Sequence, residues 1–302
     1  MRICVMHAYL IMAHKNQDQL IRLIKQLDDK DNDIFLHIDK KSIDQFNIIA
    51  LKKCCTYSNI YILQPITVFW GSSTEVACEL ALLREASSKK CYDYYHLISG
   101  QDFPLKSQKV IHDFFKENAG KEFVNFSGKN VTGFGIEIRD RVDYKWHTNL
   151  YDLFKSNLYR KIVMRLDVYM VKLKKKLCLK KSHKKYFHGA NWFDITHDLA
   201  IDVVNNEDKI LNRYKDGFCV DEVFLQTFII DHGYLDRVYD SNNAEISKSI
   251  KREIDWNRGN PYTWRYSDLN YLKSCSSFFV RKIDEDLDSR LIEGIEQFLK
   301  ES

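Results

Sequence analysis

The amino-acid sequence predicts an α/β fold in which a mostly parallel sheet is covered by helices on both faces. Three observations point there. Through about the first 125 residues, short apolar, β-branched runs alternate with segments whose apolar residues recur at helical spacing. Polar residues gather directly after those runs, where parallel sheets hold ligands beyond the strand carboxyl ends. Gly and Pro are scarce, at 11 and 3 of 302 residues, against roughly 12% in average usage, which excludes collagenous and linker-rich chains.

The elements follow in order. Cys4 to Met12 reads as a first buried strand, running into Ala13-His14-Lys15-Asn16. Asn16 to Leu27 is a helix, with Leu20, Ile21, Leu23, Ile24 and Leu27 on one face, and an acidic turn ends it. Ile34 to Ile38 is the second strand and leads into Asp39-Lys40-Lys41. A helix at Ile43 to Lys53 and a short strand at Ile60 to Leu63 come next. Thr74 to Ala86 is a strong helix, and Tyr94 to Ile98 a strand ending in Ser99-Gly100-Gln101-Asp102. In the second half, strands are expected at Glu122 to Phe126 and Trp192 to Thr196, and helices at His197 to Asn205, Val220 to Asp231 and Asp286 to Leu299. From Ser156 to Phe187, eleven Lys/Arg face a single Asp, while Tyr159, Ile162, Val163, Leu166, Met170, Leu173 and Leu177 keep helical spacing. That is a basic amphipathic helix followed by a basic loop: a solvated face, or a patch resting on anionic lipid.

Composition narrows the function classes. With 46 basic and 42 acidic residues the net charge is +4, too near balance for a general nucleic-acid coat, and no nucleic-acid-binding motif accompanies the basic stretch. No apolar run reaches the roughly 18–20 residues that span a bilayer. The run MRICVMHAYLIMAHK is expected to be a buried strand rather than a secretory leader, and the protein is expected in the cytoplasm. The eight cysteines show no CxxC pair and no zinc spacing, and read as reduced, mostly buried thiols. Asp29-Lys30-Asp31, Asp31-Asn32-Asp33 and the Asp284-Asp286-Asp288 run do not directly follow the apolar strands of the first 125 residues, so they read as turns or caps. One carboxylate, Asp102, is a poor cage for Mg²⁺. No metal is expected.

Eight segments carry more specific information: AYLIMAHK, FLHIDKKS, VFWGSSTEVACELALLREA, YYHLISGQDFPLKS, GANWFDIT, VDEVFLQTFI, IDWNRGNPYTW and FFVRKID. In this order, over about residues 8–284, they resemble the core-2/I-branching N-acetylglucosaminyltransferase and peptide xylosyltransferase family, glycosyltransferase family 14. The pattern looks like the family's short bacterial branch. The resemblance implies a GT-A-type fold: a Rossmann-like, mostly parallel sheet continuous with an acceptor-binding half. One catalytic domain over 1–302 is expected, with a nucleotide-sugar half at about 1–125 and an acceptor-binding and catalytic half at about 126–302.

The resemblance also implies inverting transfer from a UDP-sugar, N-acetylglucosamine or in one branch xylose, without a metal. Such a reaction needs a base for the acceptor hydroxyl and positive charge for the departing diphosphate. Glu222 matches the family's base; read from the residues alone, Asp221 and Glu222 are equally first-turn helix acids favoured by the macrodipole. Lys282, beside Arg281, matches a family lysine on the diphosphate, and Arg258, or else Arg265, would be a further cation. His14 and Asp39 match donor-site positions, with a merely structural role as the alternative for His14. Asp102 would bind the donor sugar or hold its own loop, and Trp70 would shape the donor pocket. Trp192 and Trp256 are expected at the acceptor, with core packing the competing reading for each ring. The expected acceptor is a glycan in surface-polysaccharide or glycolipid synthesis, free or lipid-linked. The alternatives are a xylosyltransferase and a catalytically silent nucleotide- or glycan-binding module of the same fold.

Overall fold

A computed structural model describes residues 6–128, 136–151, 156–177 and 184–301. The apolar runs form the parallel core of one six-stranded sheet. β1 (His7–Ala13) lies between β2 (Asn32–Ile38) and β4 (Tyr94–Ser99), and β3 (Asn59–Ile62) pairs with the far side of β2, all parallel. β1, β2 and β4 are almost wholly buried, so nearly every position is apolar or aromatic. β7 (Phe193–Thr196) joins β4 antiparallel, and β6 (Phe123–Val124) joins β7, giving the order β3-β2-β1-β4-β7-β6. One sheet therefore runs through both halves of the chain, the mostly parallel α/β arrangement expected.

A second sheet is absent from the sequence reading. β5 (Asp102–Pro104) pairs antiparallel with β9 (Phe279–Arg281), which also pairs parallel with β8 (Arg252–Ile254). Each strand is three residues long, too short for alternation to register. Two expected helices are also broken. The span Ile43 to Lys53 splits into a 3₁₀ turn, Ile43–Gln45, and a helix, Ile48–Lys52, whose start is capped by Asn47 accepting from the Ala50 N–H at 3.1 Å. Val220 to Asp231 splits into a 3₁₀ turn, Val220–Glu222, and a helix, Phe224–Asp231. The first strand is described from His7, and residues 1–5 and the 178–183 part of the basic loop lie outside the described residues. Cys54, Cys55, Cys78, Cys91, Cys219 and Cys275 are free thiols, but only Cys78 is buried and Cys91 is exposed, against the expected burial of most of them.

A buried polar chain ties the two sheets together. His7 Nδ1 and His96 Nε2 share a hydrogen bond at 2.7 Å, and His96 Nδ1 meets Asp194 Oδ1 at 2.7 Å. Arg252 donates to both oxygens of Asp194, at 3.0 and 2.5 Å, and its guanidinium stacks over Phe279. Burial first, and the neighbouring His96 and His112 imidazoles second, hold the His7 imidazole well below its ordinary 6.5; burial also lowers His96, against the Asp194 charge. Both rings are thus neutral when folded. The unfolded chain binds more protons below pH 6.5, so stability falls as pH drops through that value. Urea denaturation at pH 7 and pH 5 should show the loss, and His7→Gln should flatten it; an unchanged slope would remove His7 from this role.

Candidate active site

The carboxyl ends of the parallel strands supply one wall. β1 ends at His14, β2 at Asp39, and β4 turns through Ser99 and Gly100 into Asp102. Asp102 is buried and its Oδ2 accepts from the Ser99 N–H at 2.5 Å, the Ser99 hydroxyl at 2.7 Å and Arg281 Nη1 at 3.1 Å. Of the two roles open for Asp102, this geometry favours holding the loop, because that oxygen is spent on its own turn and on the cation. Asp39 is also buried, and its Oδ1 accepts from the Lys41 N–H at 3.0 Å.

The small sheet brings in the cations. Asp102 and Arg281 are direct partners across β5 and β9, so the pairing of main chains also sets the pairing of charges. The Arg281 guanidinium lies over the Trp192 ring, 4.3 Å from its centroid, and Trp192 is buried. Lys282 follows at the strand end. It is half-buried, and among the described residues its ammonium has neither an ion-pair nor a hydrogen-bond partner. Burial, then Arg281 and Lys15, push its pKa below the ordinary lysine value. The His14 imidazole is lowered in the same way, by crowding first and then by Lys15, Lys282 and Arg281, with Asp39 opposing. Arg281, Lys282 and Asp39 thus all lie within electrostatic reach of His14.

The opposite wall carries Glu222. Its main chain is placed by two glycines. Gly189 donates its N–H to the Glu222 carbonyl at 3.0 Å, and a Cβ at 189 would stand 1.7 Å from the Asn125 oxygen, so only glycine fits. Gly71, at φ +71, accepts from the Cys219 N–H at 2.8 Å and packs on Phe218. Cys219 itself has φ +45, which turns the chain into the 3₁₀ segment. Glu222 Oε2 then accepts from Arg141 Nη1 at 2.6 Å and faces His188 Nε2 at 3.2 Å. Burial acts to raise the Glu222 pKa, but the His188 hydrogen bond and the Arg141 guanidinium outweigh it and hold the carboxylate below its ordinary range. Its neighbour Asp221 goes the other way, pushed up to about 7 by burial and then by the Glu222 charge. At neutral pH Glu222 is thus the ionised member of the pair, the state from which a carboxylate can accept a proton.

Glu75 links the two walls. It lies on the helix Ser73–Lys89, accepts from the Gly71 N–H at 3.0 Å, and is raised well above the carboxylate range by burial and then by Asp221. Both Glu222 and Arg281 act on it electrostatically. Glu222 and Arg281 are thus both close enough to Glu75 to act on its charge.

The remaining expected residues lie further out. Trp70 is exposed, edge-on to Phe218 with the centroids 6.0 Å apart. Trp256 is 54% exposed, on the loop after β8. Arg258 is exposed and already paired with Asp255 and with Asp268, the latter at 2.8 Å, and stacks on Tyr262 and Trp264. Trp264 connects that loop to the cations by donating its N–H to the Lys282 carbonyl at 3.0 Å and its Nε1–H to the Arg281 carbonyl at 2.9 Å. Arg265 donates to the Leu287 carbonyl. Arg141, His188 and Glu75 were not anticipated. His188 directly precedes the GANWFDIT segment, which offered a signal; Arg141 offered none.

Metal-ligating types converge at one place among the described residues. Asp29, Asp31 and His112 bring ligand atoms within 4.8 Å of one another, but at the amino ends of the strands, away from Asp102 and Lys282.

Comparison with known proteins decides the family. Residues 7–283 match the model of the Core-2/I-Branching enzyme family. The chain belongs to that family. Its branching-enzyme relatives include a Ciona intestinalis xylosyltransferase, 23% identical over 319 residues, covering 98% of this chain and 34% of the relative. A Danio rerio beta-1,3-galactosyl-O-glycosyl-glycoprotein beta-1,6-N-acetylglucosaminyltransferase 4 is 23% identical over 315 residues, covering 97% and 69%. The chain thus spans about a third of the length of the xylosyltransferases it matches. Among solved structures, mouse xyloside xylosyltransferase 1 aligns over 91% of this chain and 96% of its own, with a TM-score of 0.39 and 9% identity.

Proposed function

We propose that the chain moves N-acetylglucosamine from a UDP-sugar to a hydroxyl of a glycan acceptor, with inversion and without a metal ion. The observation that carries this is the half-buried, unpartnered Lys282 ammonium beside Arg281, which wants an anion. Glu222 takes the proton as the acceptor oxygen bonds to the anomeric carbon. The bond from that carbon to the diphosphate oxygen breaks, its electron pair stays with UDP, and Lys282 and Arg281 offset the charge. Residues 1–125 act as the nucleotide-sugar half, with His14, Asp39 and Trp70 around the donor, and 126–302 as the acceptor half, with Trp192 and Trp256. Asp102 acts by holding Arg281, and Arg258 supports the cations through Trp264. The acceptor is a surface-polysaccharide or lipid-linked glycan precursor in the cytoplasm.

UDP-xylose is the second reading, favoured by the xylosyltransferase relatives. Transfer assays with UDP-N-acetylglucosamine and UDP-xylose separate the two. Activity is expected to survive EDTA, and Lys282→Ala to lower turnover about 10²–10³-fold, the size of losing one preorganised charge contact. A requirement for Mn²⁺ or Mg²⁺ would overturn the leaving-group account. Binding of UDP-sugars without turnover would make the chain a silent binding module.

A further inference from the structure

The helix Asn157–Lys176 has two faces that need separate explanations. Its inner face packs on the protein: Val171 is buried with Trp146, Tyr151 and Phe218, Asp167 accepts from the Tyr151 hydroxyl at 2.8 Å, and Lys175 reaches Asp140 at 2.7 Å. At 100° per residue, the side directly opposite Val171 carries Leu158, Ile162, Leu166, Tyr169 and Leu173. All five are between 38% and 70% exposed. An unbroken apolar stripe five side chains long on one outer face is not ordinary surface.

The same geometry places Lys161, Arg165, Lys172 and Lys176 in a row along one edge of the stripe, and all four are exposed. The helix's one carboxylate, Asp167, is turned inward and bonded, so no negative charge interrupts the outer side. No helix of the described residues is long and apolar enough to cross a membrane. The apolar stripe is therefore suited to lying along a surface rather than passing through one. A second copy of the chain would bring like-charged rows into one seam. An anionic bilayer surface meets both requirements, taking the stripe below its headgroups and the cations among them.

We propose that this helix docks the protein on anionic membrane, lying in the interfacial plane. Its inner face touches Phe218, four residues before Glu222, and Arg160 stands over Trp70 at 5.9 Å. Docking thus holds the cleft beside the lipid, and, on the glycosyltransferase reading above, suits an acceptor carried on a lipid.

The test is cosedimentation of the full chain with vesicles of phosphatidylcholine alone or with about one third phosphatidylglycerol, a readout that requires no turnover. Binding to the anionic vesicles at least tenfold above the neutral ones is expected, weakening with salt. Leu166→Ser with Tyr169→Ser, and separately Lys161, Arg165, Lys172 and Lys176 all→Gln, should each lower it at least tenfold. Both variants should keep wild-type turnover on a water-soluble acceptor, which separates this proposal from the catalytic one. Equal binding to both vesicle types, no binding to either, or variants that bind like wild type would overturn it. So would a dimer in sedimentation that Leu166→Ser with Tyr169→Ser dissolves, which would assign the stripe to a second copy.

Discussion

Replacing Glu222 by Gln is expected to lower the rate of sugar transfer about 10²–10⁴-fold while leaving UDP-sugar affinity within about threefold, the signature of losing a general base. Gln keeps the shape and can still accept from Arg141 at the same position, so loss of turnover would not trace to a collapsed loop. The pH profile adds a second readout. With Glu222 held ionised and Asp221 near 7, the group that titrates around neutrality is Asp221. Above pH 7 it ionises and strengthens the base beside it, so turnover should rise through that value. Asp221→Asn should erase the inflection. Turnover by Glu222→Gln above a tenth of wild type would take Glu222 out of the base role.

The second large effect concerns stability. Arg252→Met strands the Asp194 carboxylate, which is wholly buried and takes both guanidinium hydrogen bonds. Breaking such a pair costs about 3–5 kcal/mol, which for this chain length lowers the melting midpoint by roughly 5–8 °C. Adding Asp194→Asn removes the stranded charge while keeping an acceptor for His96. The double variant should therefore lose less than the sum of the singles. Strict additivity, measured by thermal or urea denaturation, would show that the pair is not coupled.

The parts of the molecule that could be read from the sequence are those whose signal is local. β1, β2 and β4 are long and buried on both faces, so each appears as an apolar run. The helices Gln17–Leu27 and Ser73–Lys89 repeat their apolar residues every three to four positions, with Asn16 and Ser72 capping them. The three-residue strands could not be read this way, because β5, β8 and β9 exist only through pairing with distant segments, across 179 positions for Asp102 and Arg281. The direction of β7 was likewise set by its neighbour and not by its own composition. For the proposed site, strand ends pointed to His14 and Asp39, and the family resemblance pointed to Glu222 and Lys282. The grip on Glu222 was hidden: Arg141 is 81 positions away and belongs to a charged segment that looks like surface until the fold buries it. Asp102 was visible, but its work of holding Arg281 was not, since their pairing is a property of the sheet.

The cation-bearing strand end is fastened to the opposite end of the chain. Lys15 pairs with Asp284 at 2.6 Å, Gln19 accepts from the Glu285 N–H at 2.7 Å, and Arg22 meets Glu296 at 2.7 Å. Each of these joins residues separated by more than 260 positions, which makes closure of this corner among the most entropically demanding steps in reaching the native state. During synthesis the sheet's parallel strands can pair long before residue 296 exists. The corner that carries Arg281 and Lys282 is therefore expected to close after those strands have paired.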